Sequence, residues 1–226
     1  MILAAGRGER MRPLTDHTPK PLLVVGGQPL IVWHVQRLVV AGFRRIVINH
    51  AHLGAQIEAY LGDGAAFGVE LVYSPEATAL ETAGGIAHAL PLLGDTPFVV
   101  VNGDIWADYD FVRLRSNGLA TGQLAHLVLV DNPQHNPQGD FALVNGRVLS
   151  EGEPRLTFSG IGCYRPDMFA GLAANQPAKL APLLRSAMQQ VQVGGEFHAG
   201  RWYDIGTPAR LQDMDAMLLD DMRDGV

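Results

Sequence analysis

The sequence predicts an α/β fold: a Rossmann-like, mostly parallel mixed sheet flanked by helices, with a smaller antiparallel lobe beside it. Three observations carry this. Short apolar runs alternate with helical patterns along the first part of the chain, which is the order of βαβ units. The stretch PFVVVNGD (97–104) is apolar without alternation, as expected of a strand covered on both faces. Beyond residue 120 strands dominate, and Asn145-Gly146 marks a tight hairpin turn.

Each element follows from its local pattern. MILA (1–4) reads as a strand, and PLIVWHVQRLVVAG (29–42) as a helix with Pro29 near its start and Gly42 just past its end. RRIVINH (44–50) and VELVYS (69–74) are strands, and LGAQIEAYLGD (53–63) between them is helical. ETAGGIAHALPLL (81–93) is a helix despite its glycines. Asp108 and Asp110 sit where the next helix should start, as acids complementing its dipole. In the second part QLAHLVLV (123–130) and RLTFSGIGCY (155–164) are strands, KLAPLLRSAMQQ (179–190) is helical, and Thr207-Pro208 opens a last helix. The change near residue 120 divides two lobes of one domain spanning 1–226, with no repeat and no linker composition.

Composition narrows the function. The net charge of −6 provides no basic face for nucleic acid. The single cysteine, Cys163, allows neither an internal disulfide nor a cysteine zinc site. No apolar run reaches membrane-spanning length and no signal peptide is expected, so a reducing, cytoplasmic setting without a membrane partner is the expectation. Of 17 basic side chains only Lys20 and Lys179 are lysines.

The opening loop concentrates the rest. Gly6 and Gly8 follow the first strand at the edge where open parallel sheets bind ligands. Glycines let backbone N–H groups approach phosphate oxygens. Gly6-Arg7-Gly8 lacks the third glycine of a dinucleotide fingerprint, and the Walker pattern is absent. A long loop stiffened by Pro13, Pro19 and Pro21 and carrying Arg7, Arg10, Arg12 and Lys20 suits a more anionic ligand, a triphosphate.

LAAGRGERMRPLTDHTPKPL (3–22) resembles the signature of the sugar-1-phosphate nucleotidyltransferases, L-A-A-G-x-G-x-R-(M/L)-x-P-L-T-x-x-x-P-K-P. The downstream elements agree in order with that family, so the resemblance covers essentially the whole chain. It implies an enzyme that joins a sugar 1-phosphate to a nucleoside triphosphate with Mg²⁺ as cofactor and pyrophosphate as leaving group. The lobe before residue 120 would bind the nucleotide and the lobe after it the sugar. Ala4, Ala5, Gly6 and Gly8 would hold the nucleotide, Arg7 would grip the triphosphate, and Lys20 would bridge the phosphates of both substrates. Asp104 in VVVNGD and Asp204 in RWYDIGT resemble the metal-binding aspartates. SPEATALETAGG (74–85) resembles the base-binding segment, with Thr82 and the backbone near Gly84 at the base edge and Glu76 accepting a base N–H.

For the sugar, the resemblance implies Asn102, Gly139 of PQGDF and Glu151 of SEGEP. SEGEP lacks the lysine of the family's E-K-P, for which Lys179 or an arginine could substitute. The segments VINHAHLGAQI, LVLVDNPQHNPQGDF and KLAPLLR point within the family to UTP and N-acetylmuramate 1-phosphate. Arg155 and Arg201 are both candidates to meet that sugar's lactyl carboxylate. A mannose-1-phosphate guanylyltransferase-like activity is the alternative. A non-catalytic nucleotide sensor would not need two carboxylates. His50 and His52 lack the spacing of a metal pair, and no triad-type nucleophile is present, which fits direct displacement.

Overall fold

A computed structural model describes residues 1–224. The elements run β1 (Ile2–Ala4), β2 (Val24–Val25), β3 (Gln28–Pro29), α1 (Leu30–Val40), β4 (Arg45–His50), α2 (Gly54–Leu61), β5 (Glu70–Pro75), α3 (Glu81–Leu93), β6 (Phe98–Asn102) and β7 (Ile105–Ala107). They continue with α4 (Val112–Asn117), β8 (Ala125–Val130), β9 (Phe141–Val144), β10 (Arg147–Leu149), β11 (Arg155–Tyr164), α5 (Leu180–Gln189), β12 (Val193–Phe197), β13 (Trp202–Asp204) and α6 (Pro208–Asp224). These form two compact units, each assembled from separated stretches of chain.

The first unit comprises residues 2–79, 102–107 and the segment from 202 onward. Its sheet runs β5-β4-β1, all parallel, with Ile2 opposite Ile48 and Arg45 opposite Glu70. The glycine pair Gly26 (φ 56) and Gly27 (φ 77) turns β2 into β3, a conformation that disfavours a Cβ. β7 pairs antiparallel with β13, Trp202 opposite Ala107 and Asp204 opposite Ile105. A core of Met11, Leu23, Val25, Leu30, Trp106, Ile205, Met214 and Leu218 joins the opening loop, α1, the β7–β13 ribbon and α6. Each such side chain fully removed from water contributes about 1.5–3 kcal/mol. The Asp215 carboxylate accepts the Gly26 N–H at 2.7 Å, tying α6 to the glycine turn.

The second unit comprises Met1, residues 80–101 and residues 108–201. Its strands run β6-β11-β8-β12-β10-β9. β11 is antiparallel to both β6 and β8, with a bulge between Phe158 and Ile161. Asn145 (φ 50) and Gly146 (φ 74) make the hairpin turn that the Asn-Gly pair predicts.

Two expectations are corrected here. The part after residue 120 is not wholly antiparallel, because β12 runs parallel to β8, Val193 opposite Ala125. Its VGGEF carries two glycines where no side chain fits: a Cβ on Gly195 would press on Val148 and the Leu127 carbonyl. Of the two acids expected at the α4 start, only Asp110 serves there, accepting the Val112 N–H at 3.0 Å. Asp108 instead pairs with His198 at 2.9 Å and faces Arg201 at 3.7 Å. Cys163 is buried on β11, and burial pushes its thiol up to about 11.

Candidate active site

The candidate site is built in the first unit, from the ends of its strands. β6 passes directly through Gly103 into β7, so Asp104 stands at the turn between them. The Gly103 N–H donates to the Leu3 carbonyl at 2.8 Å, and a side chain there would strike that carbonyl. β13 then lays Asp204 beside Asp104: the Ile205 N–H donates to the Asp104 carbonyl at 2.8 Å. A backbone ladder therefore unites two carboxylates a hundred residues apart.

Each carboxylate meets a cation. Lys20 Nζ donates to Asp104 Oδ2 at 2.7 Å. Arg210 Nη1 donates to Asp204 Oδ1. Lys20 is only 8% exposed. Burial of an ammonium needs such a partner. Gly8 (φ 69) closes the loop over this lysine, its absent Cβ leaving 3.4 Å to Lys20 Cβ and 3.0 Å to Thr15 Cγ2. Thr15, fully buried, holds the turn by donating to the Gly8 carbonyl at 2.9 Å. The Asp104 side chain is 45% exposed beside its buried partner.

The donor set fits Mg²⁺. That ion takes one or two carboxylates and completes its shell with water and phosphate oxygens. Asp104 and Asp204 supply two hard oxygen donors on adjacent backbone positions. Among the described residues no group of three or more His, Cys, Asp or Glu is placed to hold a metal.

Of the nucleotide-side candidates, Ala4, Ala5, Gly6, Arg7 and Glu76 lie in the first unit. The Ala4 N–H donates to Asn49 Oδ1 at 3.0 Å, and Asn49 Nδ2 donates to Glu76 Oε1 at 2.7 Å. Asn49 so links the β1 end to Glu76, which is 7% exposed. Ala5 follows Ala4, and Gly6 has open space where a side chain would start. Arg7 turns within its own loop: Nη1 donates to the Thr15 carbonyl at 2.8 Å and lies 2.6 Å from His52 Nε2, and Nη2 is 3.4 Å from Asp16.

In the second unit Thr82 occupies the first turn of α3, after Glu81, which holds a left-handed φ of 60. Such a backbone costs about 1–3 kcal/mol outside glycine and gathers at functional sites. The Gly84 N–H is spent on the Ala178 carbonyl at 3.1 Å, and a Cβ there would strike the Gln176 carbonyl.

Among the sugar candidates, Asn102 is half-buried at the end of β6. Gly139 (φ 62) packs on the Arg155–Leu156 backbone, and Glu151 is exposed. Arg155 donates to the Ser150 and Asp140 carbonyls, bracing its own loop. Lys179 is exposed at the position preceding α5.

The nucleotidyl transferase family model matches residues 1–221. The chain belongs to that family. An N-acetylmuramate alpha-1-phosphate uridylyltransferase of Neisseria meningitidis is 59% identical over 96% of this chain and 96% of its own. A protein of the same name from Caulobacter vibrioides is 34% identical over 92% of this chain and 91% of its own. A crystal structure from Bacillus anthracis described as a glucose-1-phosphate thymidylyltransferase superposes with a TM-score of 0.85 over 97% of this chain and 94% of that one, at 24% identity. The fold is thus the mixed α/β fold of nucleotidyl transferases.

In this nucleotidyl transferase Arg210 and Asn49 lie outside the reading by sequence, and Arg10, one of the loop cations, takes a place the sequence does not specify. Arg10, not Arg7, brings its guanidinium to the Asp204 side, where a Cβ on Gly206 would lie 3.1 Å from Arg10 Nη2. Arg210 announces itself only by position: a cation in the first turn of a helix opposes the helix dipole. Asn49, a polar side chain in the otherwise apolar RIVINH strand, is the visible signal of the link to Glu76.

Proposed function

We propose that this nucleotidyl transferase joins UTP and N-acetylmuramate 1-phosphate to make UDP-N-acetylmuramate, a step in the reuse of a cell-wall sugar in the cytoplasm. The observation that carries the reading is the 59% identity, end to end, with the Neisseria protein of that name. The Lys20–Asp104 and Arg210–Asp204 pairs support the reaction class.

A sugar-phosphate oxygen attacks the α-phosphorus of UTP. The new P–O bond forms as the bond to the bridging α–β oxygen breaks, and pyrophosphate leaves with that electron pair. Such transfers depend on positioning and on neutralising charge at the phosphate oxygens. Lys20 brings a compact, buried ammonium to those oxygens. The loop from Ala4 to Gly8 approaches the nucleotide through its backbone, and Arg7 and Arg10 add charge from the same loop. Asp104 and Asp204 would hold Mg²⁺, which supplies further charge neutralisation when bound. Glu76, held by Asn49, and Thr82 are the side chains offered to uracil. Arg155 donates to backbone carbonyls and Arg201 faces Asp108, and both are candidates for the lactyl carboxylate.

A matrix of nucleoside triphosphates against sugar 1-phosphates, read by pyrophosphate release with Mg²⁺, tests this. UTP with N-acetylmuramate 1-phosphate should be fastest. Faster release with GTP and mannose 1-phosphate would overturn the substrate assignment and leave the reaction class standing.

A further inference from the structure

We propose that Arg210 is a second phosphate-binding cation of this site, and that it takes the phosphate of the sugar 1-phosphate. The inference rests on the reaction proposed above. It starts from a parallel between two ion pairs. Lys20 is held on Asp104, and Arg210 is held on Asp204, the neighbouring carboxylate across the β7–β13 ribbon. In both pairs the carboxylate is one that a divalent ion would claim, so the pairing parks each cation where phosphate oxygens must arrive.

Three features suit Arg210 to that task. Its backbone is fixed, because the Arg210 N–H reaches Thr207 Oγ1 at 3.4 Å and the Leu211 N–H donates to the Thr207 carbonyl at 3.1 Å. Its side chain is 24% exposed, enough for a ligand to reach and too little for water to screen it fully. The ground in front of it is bare: Gly206 has no side chain, and one there would collide with the Arg210 guanidinium and stand 3.1 Å from Arg10 Nη2. Two guanidinium groups thus converge on one glycine beside Asp204. A phosphate arriving at Gly206 would meet both of them.

The chemistry favours the sugar phosphate over the nucleotide. A phosphate monoester carries about −1.5 to −2 charges near pH 7. The triphosphate already has the glycine loop, its arginines and Lys20. A guanidinium offers two parallel N–H donors to one phosphate, a fork that a monoester can take in full. Lys179, exposed at the position preceding α5, shows no comparable pairing with a site carboxylate.

Arg210→Gln and Arg210→Lys test the inference, each assayed for pyrophosphate release with UTP and N-acetylmuramate 1-phosphate varied separately, alongside thermal unfolding. For Arg210→Gln the KM for the sugar 1-phosphate should rise about 10- to 100-fold while the KM for UTP stays put, from loss of charged hydrogen bonds. Arg210→Lys should fall between, keeping the charge but not the fork. A brace that merely orients Asp204 predicts otherwise: a lower kcat and a changed Mg²⁺ requirement, with both KM values moving together or not at all. That outcome, or a rise confined to UTP, overturns the inference while the proposed reaction stands. A wild-type protein inactive on this pair overturns the proposed function and this inference with it.

Discussion

Asp204 pairs with Ile105 on the β7–β13 ribbon, and Asp104 stands just before that ribbon with its carbonyl accepting the Ile205 N–H at 2.8 Å. Their spacing is set by backbone geometry rather than by side-chain reach. Replacing either with Asn preserves shape and hydrogen-bonding capacity and removes one negative charge. Turnover in Mg²⁺ should fall by about two orders of magnitude or more for each, with unfolding behaviour retained. Asp108→Asn, which alters a pair with His198 instead, should leave turnover nearly intact. Near-normal Mg²⁺-dependent pyrophosphate release by Asp204→Asn would sink the metal assignment.

Lys20→Ala should lower kcat/KM by about two orders of magnitude, because the charge it meets grows in the transition state. Lys20→Arg should not rescue it. Lys20 is buried with its compact ammonium on Asp104, and a planar guanidinium is a different shape. Steady-state kinetics on both variants decide the point, and full activity of Lys20→Ala would show the lysine to be dispensable.

Gly8→Ala should cost about 1–2 kcal/mol of stability from its left-handed backbone alone. The added methyl also meets Thr15 Cγ2 at 3.0 Å, next to Lys20. Denaturant unfolding should report the loss, and activity should fall further than stability does. Gly6→Ala, where open space waits, should unfold much as the wild type does.

His34 lies buried on α1 with its Nε2 unpartnered. Burial lowers its pKa from 6.5 to about 4, against a smaller opposing effect from its hydrogen bond to the Ile105 backbone. The unfolded chain therefore takes up this proton more readily than the folded one. The contribution is fully present above pH 6.5 and is lost as the pH falls through the folded value near 4. The loss amounts to about 3 kcal/mol at most. Unfolding free energies measured from pH 7 to 4 should decline less steeply in His34→Gln, and parallel curves would contradict the assignment.

The long elements were legible because periodicity marks them. The α3 helix matches ETAGGIAHALPLL and β11 matches RLTFSGIGCY, residue for residue. The glycines and cations of the opening loop mark it in the sequence as a candidate phosphate loop. What stayed hidden has short range in sequence and long range in space. IWA and WYD are too brief to show a period, and their pairing spans a hundred residues, so nothing local foretells the ribbon carrying both aspartates. The different placement of the two loop arginines was equally hidden. Charge alone does not distinguish Arg7 from Arg10, whereas the Thr15 carbonyl and His52 hold the first within the loop. The packing at Gly84 was hidden as well: its missing Cβ makes room for the Gln176 carbonyl.

The β7–β13 ribbon also sets a timetable for synthesis. Asp104 is made with its strand, but the strand that completes the ribbon is encoded about a hundred residues later. At ribosomal speeds of roughly 5–20 residues per second, β7 waits on the order of 5–20 s for its partner. The helix that follows β13 must then dock, its Asp215 accepting the Gly26 N–H across 189 residues of chain. A nascent chain halted before residue 202 would carry Lys20 and Asp104 without Asp204. The last strand to emerge is therefore the one that completes the candidate site.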